Sequence, residues 1–464
     1  MKFGNIRHIH LVGIGGSGMN GIAEVLLNLG YEVSGSDLAD TPVTRRLKDL
    51  GGTIHRGHDA AYVVGAQVVV ISTAVRPDNV EVVAARELAI PVVQRAEMLA
   101  ELMRMKFGVA VAGAHGKTTT TSLVATVLGE GGLDPTVVIG GRLNQYGASA
   151  KLGKGEYMVA EADESDGSFL KLPPTLAIVT NMDREHLDFY RDMDAIRAAF
   201  AEFSNKVPFY GAVILCLDDP ELQKLMAGLD KRVITYGFTP QADLRATDLD
   251  LTPEGALFTC TFRGEPIGTF HVPLSGRHNA HNAMAAICAG LELEVPVETI
   301  RRALAGFSGV GRRFEKKGEA GGVTVVDDYG HHPTEVKAIL AAARESFPGR
   351  RLLVVFQPHR YSRTHDQMET FARAFHSADT LLLMDIYAAG EAPVEGVTSK
   401  VLLEKIQGFG HRDARYAADD EAVMAYLTES AAPGDVLITL GAGDVWKIGE
   451  TYLSLAGAKE TATA

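Results

Sequence analysis

The chain has 464 residues, which is too long for one ordinary hydrophobic core and predicts two to four domains. Hydrophobic residues make up 46% of it and charged residues 22%, as is typical of a folded globular protein. The formal net charge of -13 argues against a broad nucleic-acid surface, because such a surface needs clustered lysine and arginine. Small anionic ligands are compatible with this charge, since local amides and a few cations can hold them.

The sequence gives no sign of secretion or of membrane insertion. The first residues have no long apolar core before their glycines and predict a first strand, and no stretch is apolar for the length of a membrane span. Cys216, Cys260 and Cys288 form no CxxC pair and are odd in number, which favours a reducing compartment and buried, unpaired thiols. We therefore expect a cytoplasmic protein without membrane or nucleic-acid partners.

Short apolar runs alternate with loops and helical patterns along the chain. The runs are rich in Val, Ile and Leu and do not alternate with polar residues, which favours a parallel sheet covered on both faces and an α/β class. Alanine-rich stretches such as MDAIRAAFAEF and TEVKAILAAARESF predict helices between them. The predicted strands are HIHLVGI, QVVVIST, FGVAVAG, YMVAEA, LAIVTN, GAVILCL, VTVVDD, RLLVVFQ, TLLLMDI and DVLITLG.

Three of the predicted strands run into glycine loops, at Gly13, Gly113 and Gly441, which indicates three α/β domains. The stretch at about 240–275 has more alternation and predicts an antiparallel addition to the middle domain. The tail AGAKETATA is expected to be disordered. With boundaries near 106 and 311, the predicted domains are 1–106, 107–311 and 312–464.

The first glycine loop satisfies G-x-G-x-x-G at Gly13, Gly15 and Gly18. It follows a strand, opens a helix, and is followed by Asp37 at the end of the next apparent strand. Glycines there let the backbone approach a diphosphate, and the helix start supplies amide donors. The alternative is a tight turn that needs positive φ. The motif does not specify NAD, because any nucleotide diphosphate presents the same oxygens.

The second loop, AGAHGKTTT, is close to a P-loop but shorter, because Val111 stands where the strict pattern needs glycine. Gly113 and Gly116 free the backbone, Lys117 can reach the β- and γ-phosphates, and the Thr118 hydroxyl can bind Mg²⁺. The alternative, a surface turn with a solvated lysine, fits poorly with a strand before the loop and a helix after it.

These motifs, taken in order, resemble the Mur ligases, ATP-dependent amide-forming enzymes of bacterial peptidoglycan synthesis. The resemblance covers nearly the whole chain: HLVGIGGSGM, GAHGKTTT, EADESDGSFL, NMDREHLD, GRHNAHNA, GVGRRFE, DDYGHHPTE, QPHRYSRT and LGAGD. One departure is Ala114, where the family usually has Thr, so a hydroxyl contact is lost while the backbone cradle is expected to survive. The resemblance implies an N-terminal Rossmann-like UDP-binding domain, a central P-loop-like ATPase domain and a C-terminal Rossmann-like domain that binds the amino acid.

The resemblance also assigns the two loops. The first would hold the UDP diphosphate of a sugar nucleotide through Gly13, Gly15, Gly16, Ser17, Gly18 and Asp37. The second would hold ATP through Gly113, Ala114, His115, Gly116, Lys117, Thr118 and Thr119.

An acidic stretch, EADESDG, follows the strand YMVA and places Glu161 and Asp163 where α/β ligands bind. A solvated acidic loop is the alternative. The resemblance implies Mg²⁺, with Mn²⁺ as a possible substitute, held by Thr118, Glu161 and His186. Histidine is an uncommon Mg²⁺ ligand, so only the resemblance supports His186.

Further ATP contacts are implied beyond the loop. In GRHNAHNA, Asn279 and Asn282 lie three apart on one helical face and could reach the adenine edge, although Asn279 could equally cap the helix. The resemblance implies that Arg313 reaches the ATP phosphates and that Asp328 binds the ribose. The residues implied in catalysis are Lys117, Glu161, His186 and Arg313.

Two arginines, Arg360 and Arg363 of HRYSRT, can form forked contacts with a carboxylate. Arginines in a loop are usually solvated, but their place after the strand RLLVVF favours a site. The resemblance adds Tyr329 and His331 around the amino acid, which it implies is L-alanine. Family members that add later residues usually carry a carbamylated lysine where this chain has Phe200, which agrees with the first amino-acid step.

The resemblance implies a reaction that joins L-alanine to the lactyl carboxylate of UDP-N-acetylmuramate through an acyl phosphate, with ATP as the energy source. A ligase that reattaches a recycled murein tripeptide to the same sugar nucleotide is the nearest alternative. A nicotinamide oxidoreductase would leave the second loop unexplained. A nucleotide-dependent switch or motor would leave the first loop and HRYSRT without a role.

Overall fold

The computed structural model describes residues 3–16, 18–143, 148–186, 189–252 and 254–463. The described chain forms two compact units. The first comprises Met1–Asp248, Phe258–His271 and His281–Val310, and the second comprises Leu249–Leu257, Val272–Ala280 and Gly311–Ala464. The predicted boundary near 311 falls where the long segment of the second unit begins, and the predicted boundary near 106 lies inside the first unit.

Three sheets follow one another along the chain, as the sequence predicts. The first has five parallel strands in the order β3-β2-β1-β4-β5. The chain builds the sheet outward from β1 to β3 on one side and then crosses to β4 on the other side, so the strand order reverses between β1 and β4. In such a sheet ligands bind at the carboxyl ends of the strands beside that point. The strands are β1 (His8–Val12), β2 (Glu32–Asp37), β3 (Thr53–Arg56), β4 (Val68–Ile71) and β5 (Val92–Gln94), and the helices α1 (Met19–Asn28), α2 (Pro42–Asp49), α3 (Val80–Glu87) and α4 (Arg95–Arg104).

The second sheet has ten strands in the order β15-β14-β13-β12-β11-β10-β6-β9-β7-β8. β6, which runs into the second glycine loop, lies between β9 and β10 and is parallel to both. The helices are α5 (Lys117–Glu130), α6 (Met193–Ser204), α7 (Pro220–Met226), α8 (Arg277–Glu292) and α9 (Val297–Ala305). The strands are β6 (Phe107–Ala112), β7 (Thr136–Leu143), β8 (Ala148–Lys151), β9 (Tyr157–Glu161), β10 (Leu176–Val179), β11 (Ala212–Cys216), β12 (Val233–Gly237), β13 (Leu244–Thr252), β14 (Gly255–Phe262) and β15 (Glu265–Val272).

The third sheet has six strands in the order β16-β17-β21-β18-β19-β20, and β16 alone among its paired strands is antiparallel. Its strands are β16 (Glu315–Ala320), β17 (Val323–Asp328), β18 (Leu352–Phe356), β19 (Thr380–Leu383), β20 (Ala414–Tyr416) and β21 (Val436–Leu440). Its helices are α10 (Pro333–Ser346), α11 (Tyr361–Asp366), α12 (Met368–Phe371), α13 (Ser399–Gly408), α14 (Asp420–Ser430) and α15 (Trp446–Thr463).

All ten runs predicted as strands form strands, because each is a short Val-, Ile- and Leu-rich segment that the sheets bury almost completely. The alternating stretch at 240–275 forms β13, β14 and β15, which are neighbours in the sheet. The helix α15 continues to Thr463, and the expected disorder of the tail stays a prediction. Alanine, lysine and glutamate are strong helix formers and favour this continuation. The three cysteines are free and buried, as predicted.

No helix in the described ranges is both long and apolar enough to cross a bilayer.

Candidate active site

The first glycine loop connects β1 to α1 at the carboxyl edge of the first sheet. Gly13 and Gly18 have φ of 73° and 76°, in the left-handed region that glycine adopts without strain. The amides of Gly13 and Ile14 donate to the Ser36 carbonyl oxygen at 2.8 and 3.0 Å. This arrangement fixes the start of the loop against the end of β2.

Asp37 reaches this loop directly, as its position after β2 predicts. Its Oδ2 accepts a hydrogen bond from the amide of Gly15 at 2.9 Å. A Cβ on Gly15 would lie 2.9 Å from that oxygen and 2.9 Å from Cγ2 of Thr44, so the position has no room for a side chain. Gly16 follows in the same turn, and its amide donates to the Gly13 carbonyl oxygen at 3.0 Å. Ser17, the remaining predicted member of this loop, lies outside the described residues.

The residues that follow β10 pack against the second glycine loop. A Cβ on Gly113 would lie 2.1 Å from Oγ1 of Thr180, and a Cβ on Gly116 would lie 2.5 Å from Oδ1 of Asn282. The amide of Ala114 donates to the Asn181 carbonyl oxygen at 3.2 Å, so the backbone cradle persists without a threonine hydroxyl at this position. Both glycines are therefore required by close packing as well as by their positive φ.

His115 is held in the second loop by several hydrogen bonds. Its amide donates to Oδ1 of Asn181 at 2.8 Å, and its carbonyl oxygen accepts from Nδ2 of Asn181 at 2.9 Å and from Oγ1 of Thr180 at 2.6 Å. Its Nε2 lies 2.9 Å from Oδ2 of Asp183. Sequence reasoning did not assign Thr180, Asn181 or Asp183 to the site, although LAIVTN ends beside the loop because β10 neighbours β6.

Lys117 begins α5, and its side chain folds back over the loop. Nζ donates to the carbonyl oxygens of Gly113 at 2.7 Å and Ala114 at 3.2 Å, and to Oε1 of Glu164 at 3.0 Å. Burial lowers the pKa of Lys117, but the carboxylates of Glu164, Asp163 and Glu161 outweigh burial and the net shift is upward. The lysine is therefore a cation that lies against its own loop and beside Glu164.

Glu164 is a site residue that sequence reasoning missed, although it lies within EADESDG. Its side chain is 4% exposed, and burial raises its pKa while the attraction of Lys117 opposes the rise. Nε2 of His186 lies 3.6 Å from Oε1 of Glu164 and 4.0 Å from Oε2 of Glu185. The carboxylate thus links the predicted lysine to the predicted histidine.

Thr118 and Glu161, two predicted metal ligands, lie together. The Thr118 hydroxyl donates to Oε2 of Glu161 at 3.0 Å. The contact follows from the sheet, because Glu161 ends β9 in register with Val111 of the neighbouring β6. Thr119 is buried in the first turn of α5. His186 has a φ of 56°, which is uncommon for a residue with a side chain.

The two asparagines of GRHNAHNA lie on α8, as predicted. Oδ1 of Asn282 accepts from the Thr120 hydroxyl at 3.1 Å, beside Gly116. Nδ2 of Asn279 donates to the carbonyl oxygen of Ser275 at 2.8 Å, one turn earlier. Asn282 therefore supports the second loop, and adenine contacts of either residue stay a prediction.

In the second unit, Arg313 and Asp328 lie near Tyr329. The Arg313 guanidinium lies 5.2 Å from the centre of the Tyr329 ring. The Asp328 carboxylate accepts from the amides of Phe314 and Gly330, both at 2.6 Å. Burial raises the pKa of Asp328 to about 7, against the attraction of Arg313. Asp328 therefore shapes the turn that carries Arg313, and its contact with a ribose stays a prediction.

The predicted amino-acid residues also gather in the second unit. The ring of His331 lies 5.4 Å from that of Tyr329 and 5.9 Å from that of His359. Nη1 of Arg363 lies 3.4 Å from Nδ1 of His359. Arg360 has a φ of 71° at the start of α11. His359 was not assigned from the sequence, although it immediately precedes Arg360 in PHRYSRT.

His359 is held in a neutral form by its surroundings. Burial, together with the charges of His331, Arg363 and Arg360, lowers its pKa to about 4. Its ring stacks on Tyr387 at 5.5 Å and 8°. The neighbouring Arg360 has an acidic partner, because its Nε lies 4.0 Å from Oε1 of Glu391. This cationic cluster is suited to a carboxylate ligand.

Phe200 lies on α6, is 1% exposed and packs against Phe169 with ring centres 5.2 Å apart. The surroundings of Phe200 are apolar and filled, and they are therefore unsuited to a charged carbamylated lysine.

The chain belongs to the Mur ligase family. Residues 8–107 match the Mur ligase family catalytic domain, residues 111–290 the Mur ligase middle domain and residues 312–443 the Mur ligase glutamate ligase domain. A UDP-N-acetylmuramate–L-alanine ligase of Geobacter sp. (strain M21) is 57% identical over 460 residues, covering 99% of this chain and 100% of the relative. One of Syntrophotalea carbinolica is 57% identical over 97% of this chain and 98% of the relative.

Solved structures agree with this family. A UDP-N-acetylmuramate–alanine ligase of Thermotoga maritima is 28% identical with a TM-score of 0.82, covering 98% of this chain and 100% of that one. A murein peptide ligase of Psychrobacter arcticus is 26% identical with a TM-score of 0.71, covering 97% of this chain and 99% of that one. The three-domain α/β class predicted from the sequence is thereby confirmed.

Proposed function

We propose that this protein joins L-alanine to the lactyl carboxylate of UDP-N-acetylmuramate and converts ATP to ADP and phosphate. The relatives that are 57% identical over nearly the full chain carry this activity in their names. The recycling ligase, the nearest alternative, is not favoured, because the murein peptide ligase resembles the chain less than the alanine ligase does. Membership of a ligase family leaves the oxidoreductase and the switch without support.

The observation that carries the ATP-dependent step is the position of Lys117. It is a cation at the start of α5, bonded to its own loop and paired with a buried carboxylate. A lactyl carboxylate oxygen attacks the γ-phosphorus, and an acyl phosphate and ADP form. The alanine amine then attacks the acyl carbon, and phosphate leaves. Lys117 stabilises the charge of the transferring phosphoryl group, and positioning supplies most of the remaining rate.

The residues around Thr118 fit Mg²⁺, because a hydroxyl and a carboxylate oxygen lie 3.0 Å apart at the mouth of the second loop. Thr118 and Glu161 would hold the ion, and His186 is the third residue proposed as a ligand. Mn²⁺ prefers the same oxygen donors and could substitute. When bound, the ion neutralises phosphate charge. The protein residues meanwhile orient the nucleotide and keep Lys117 beside it.

The first loop is proposed to hold the UDP diphosphate. The loop leads into the first turn of α1, and the missing side chain at Gly15 permits close approach of the phosphates. In the assignment proposed here, residues 1–106 bind the sugar nucleotide, 107–311 bind ATP and 312–464 bind the amino acid. Reduced, buried thiols and dependence on ATP favour the bacterial cytoplasm for this reaction.

The alanine carboxylate is proposed to meet Arg360 and Arg363, with Tyr329 and His331 beside it. Every amino acid has that carboxylate, so the choice of alanine rests on the pocket around its methyl group. One methyl group contributes only about 1–3 kcal/mol of discrimination in such a pocket. Glycine and serine are therefore expected to be poor substrates that still react.

The test is ADP release from ATP with each substrate omitted in turn. The proposal predicts that ADP forms at the full rate only with UDP-N-acetylmuramate and L-alanine together, and that an amide product accumulates with it. Replacement of alanine by a murein tripeptide should slow the reaction strongly. A faster reaction with the tripeptide would make the protein a recycling ligase, and ADP release independent of both substrates would refute a ligase.

A further inference from the structure

The third glycine motif, LGAGD, has no role in the proposed function. Its loop, Gly441–Asp444, follows β21, which lies between β17 and β18, so the loop stands at the carboxyl edge of the third sheet. The amide of Gly441 donates to the Asp328 carbonyl oxygen at 3.2 Å. The third glycine loop therefore lies between the strands whose ends carry the residues proposed for the ribose and for the amino acid.

Arg312, at the start of the long segment of the second unit, fastens this loop. Its Nη2 donates to the Gly441 carbonyl oxygen at 2.6 Å, and its Nη1 donates to the Gly443 carbonyl oxygen at 3.0 Å. Its Nε donates to Oδ2 of Asp327 at 2.9 Å. Asp327 is 1% exposed, and burial raises its pKa against the attraction of Arg312. All three guanidinium nitrogens are thus engaged, in the fixed fork that arginine provides and lysine does not.

Arg312 also determines where its neighbour Arg313 lies. Arg312 and Phe314 have φ of 58° and 48°, in the left-handed region that residues with a side chain rarely adopt. Such strain persists only where the surrounding structure imposes it. The amide of Arg312 donates to Oε2 of Glu315 at 2.7 Å, and its carbonyl oxygen accepts from the Tyr329 amide at 2.8 Å. The side chain anchors the same residue to the third glycine loop, so Arg312 fixes the turn that presents Arg313.

On its other side the third glycine loop touches His359 and Arg360, called here the amino-acid cluster, through one tyrosine. A Cβ on Gly443 would lie 3.0 Å from the ring of Tyr387, so the loop packs closely on that ring. Tyr387 stacks on His359, and its carbonyl oxygen accepts from the amide of Arg360 at 2.9 Å. One chain of contacts therefore runs from Arg312, through the loop and Tyr387, to Arg360.

We propose that Arg312 is a positioning residue that holds Arg313 and the amino-acid cluster at a fixed separation through the third glycine loop. The inference rests on the proposed function, in which Arg313 reaches the ATP phosphates and Arg360 binds the amino-acid carboxylate. The alanine amine must attack an acyl phosphate that forms at the ATP phosphates, so an error in this separation slows formation of the amide. Arg312 needs no contact with a substrate for this role.

The experiment measures kcat and the KM values for ATP, L-alanine and UDP-N-acetylmuramate with the full chain. Arg312→Ala should lower kcat by about tenfold or more and raise KM for ATP and for L-alanine, while KM for the sugar nucleotide stays within about twofold. Arg312→Lys keeps a charge beside Asp327 but lacks the fork, so it should fold and show the same pattern. Guanidinium, at a concentration that does not unfold the protein, should restore part of the activity of Arg312→Ala and less of that of Arg312→Lys, whose side chain fills the site.

Arg350 provides the matched control at the opposite edge of the same sheet. Its Nε donates to the Gly434 carbonyl oxygen at 2.6 Å and its Nη2 to the Asp435 carbonyl oxygen at 2.7 Å, in the turn that precedes β21. Arg350→Ala removes the same kind of contact. It should lower the denaturant midpoint of unfolding as Arg312→Ala does, and it should leave kcat and all three KM values unchanged.

Wild-type kinetics in Arg312→Ala would overturn the inference. An equal kinetic loss in Arg350→Ala would also overturn it, because the two arginines would then only stabilise the unit. A rise in KM for ATP alone or for L-alanine alone, or no rescue by guanidinium, would contradict a fixed separation of the two sites. If Arg312→Ala does not fold, the KM values of Arg312→Lys decide in the same way. A wild type that releases no ADP with all three substrates would instead refute the proposed function.

Discussion

The two glycine loops of this protein begin in the same way, after a parallel strand and before a helix, but they are built differently. The first loop meets its sheet through main-chain hydrogen bonds, and a Cβ on Gly13 would have no atom within 4 Å. The second loop is packed tightly, and a Cβ on Gly113 would clash with Thr180. The first loop is therefore open at Gly13 but closely packed at Gly15, whereas both glycines of the second loop are closely packed beside a lysine.

A buried glutamate lies near each loop, and the two glutamates differ in the direction of their pKa shifts. Glu81, below the first loop, is saturated by two histidines and a serine, and its pKa is lowered. Glu164, below the second, faces Lys117 beside the further acid Asp163, and its pKa is raised. The first carboxylate is fully hydrogen-bonded, and the second is held at some cost beside Lys117. This contrast supports the proposed assignment of the phosphoryl chemistry to the second loop.

The largest expected effect comes from Lys117→Ala. Loss of a charged group that stabilises the transition state should lower kcat by about 10²–10³-fold or more. Binding of UDP-N-acetylmuramate should stay within about twofold, because the cation belongs to the other loop. Steady-state ADP release and calorimetric titration with the sugar nucleotide measure the two quantities. An equal loss of sugar-nucleotide affinity would show that the loops are assigned wrongly.

Replacement of one glycine in each loop by alanine compares their packing. Gly13→Ala should cost about 1–2 kcal/mol in free energy of unfolding, the strain of a left-handed residue. Gly113→Ala should cost roughly 1–3 kcal/mol more, because its Cβ would lie 2.1 Å from Oγ1 of Thr180 and 3.0 Å from the Thr180 amide nitrogen. Denaturant unfolding of both variants gives the difference. Equal costs would contradict the contrast between an open and a packed loop.

Gly15→Val changes the first loop selectively. The new side chain would meet Asp37 and Thr44 and block the approach of the diphosphate, so KM for the sugar nucleotide should rise about tenfold or more, which corresponds to about 1.4 kcal/mol. Affinity for ATP should change little. Separate titrations with UDP and with ATP make this measurement, and a variant that loses ATP alone would reverse the assignment.

The last prediction concerns stability and its dependence on pH. Glu81→Gln should lower the free energy of unfolding at pH 7 by about 1–3 kcal/mol, because His10, Ser36 and His58 lose a charged acceptor. The folded pKa of Glu81 is below its ordinary value of 4.5, so its contribution is present above pH 4.5 and is lost as the pH falls through the folded pKa. The wild type and variant should therefore converge in acid. A difference that grows below pH 4.5 would contradict the ionised carboxylate.

The sequence by itself determined the class of fold and the positions of the chemical groups. Ten apolar runs predicted ten strands, and the glycine patterns at Gly13 and Gly113 predicted where helices α1 and α5 begin. These features follow from short-range physics, since buried strands need apolar runs and tight turns need glycine. Lys117 and Thr118 were predicted from a glycine loop close to a P-loop, and Glu161 from an acidic stretch after a predicted strand together with the family resemblance.

Only the tertiary structure decided which groups meet. Lys117 pairs with Glu164, 47 residues away, and Thr120 with Asn282, 162 residues away. Likewise, Glu81 reaches His10 across 71 residues, and the rings of His359 and His331 lie 5.9 Å apart although β21 separates the strands that precede them. No spacing in the sequence encodes these contacts, because the order β10-β6-β9 and the placement of α3 and α8 bring the residues together. The motifs therefore specified the chemistry, and the packing of the sheets decided which charges compensate one another.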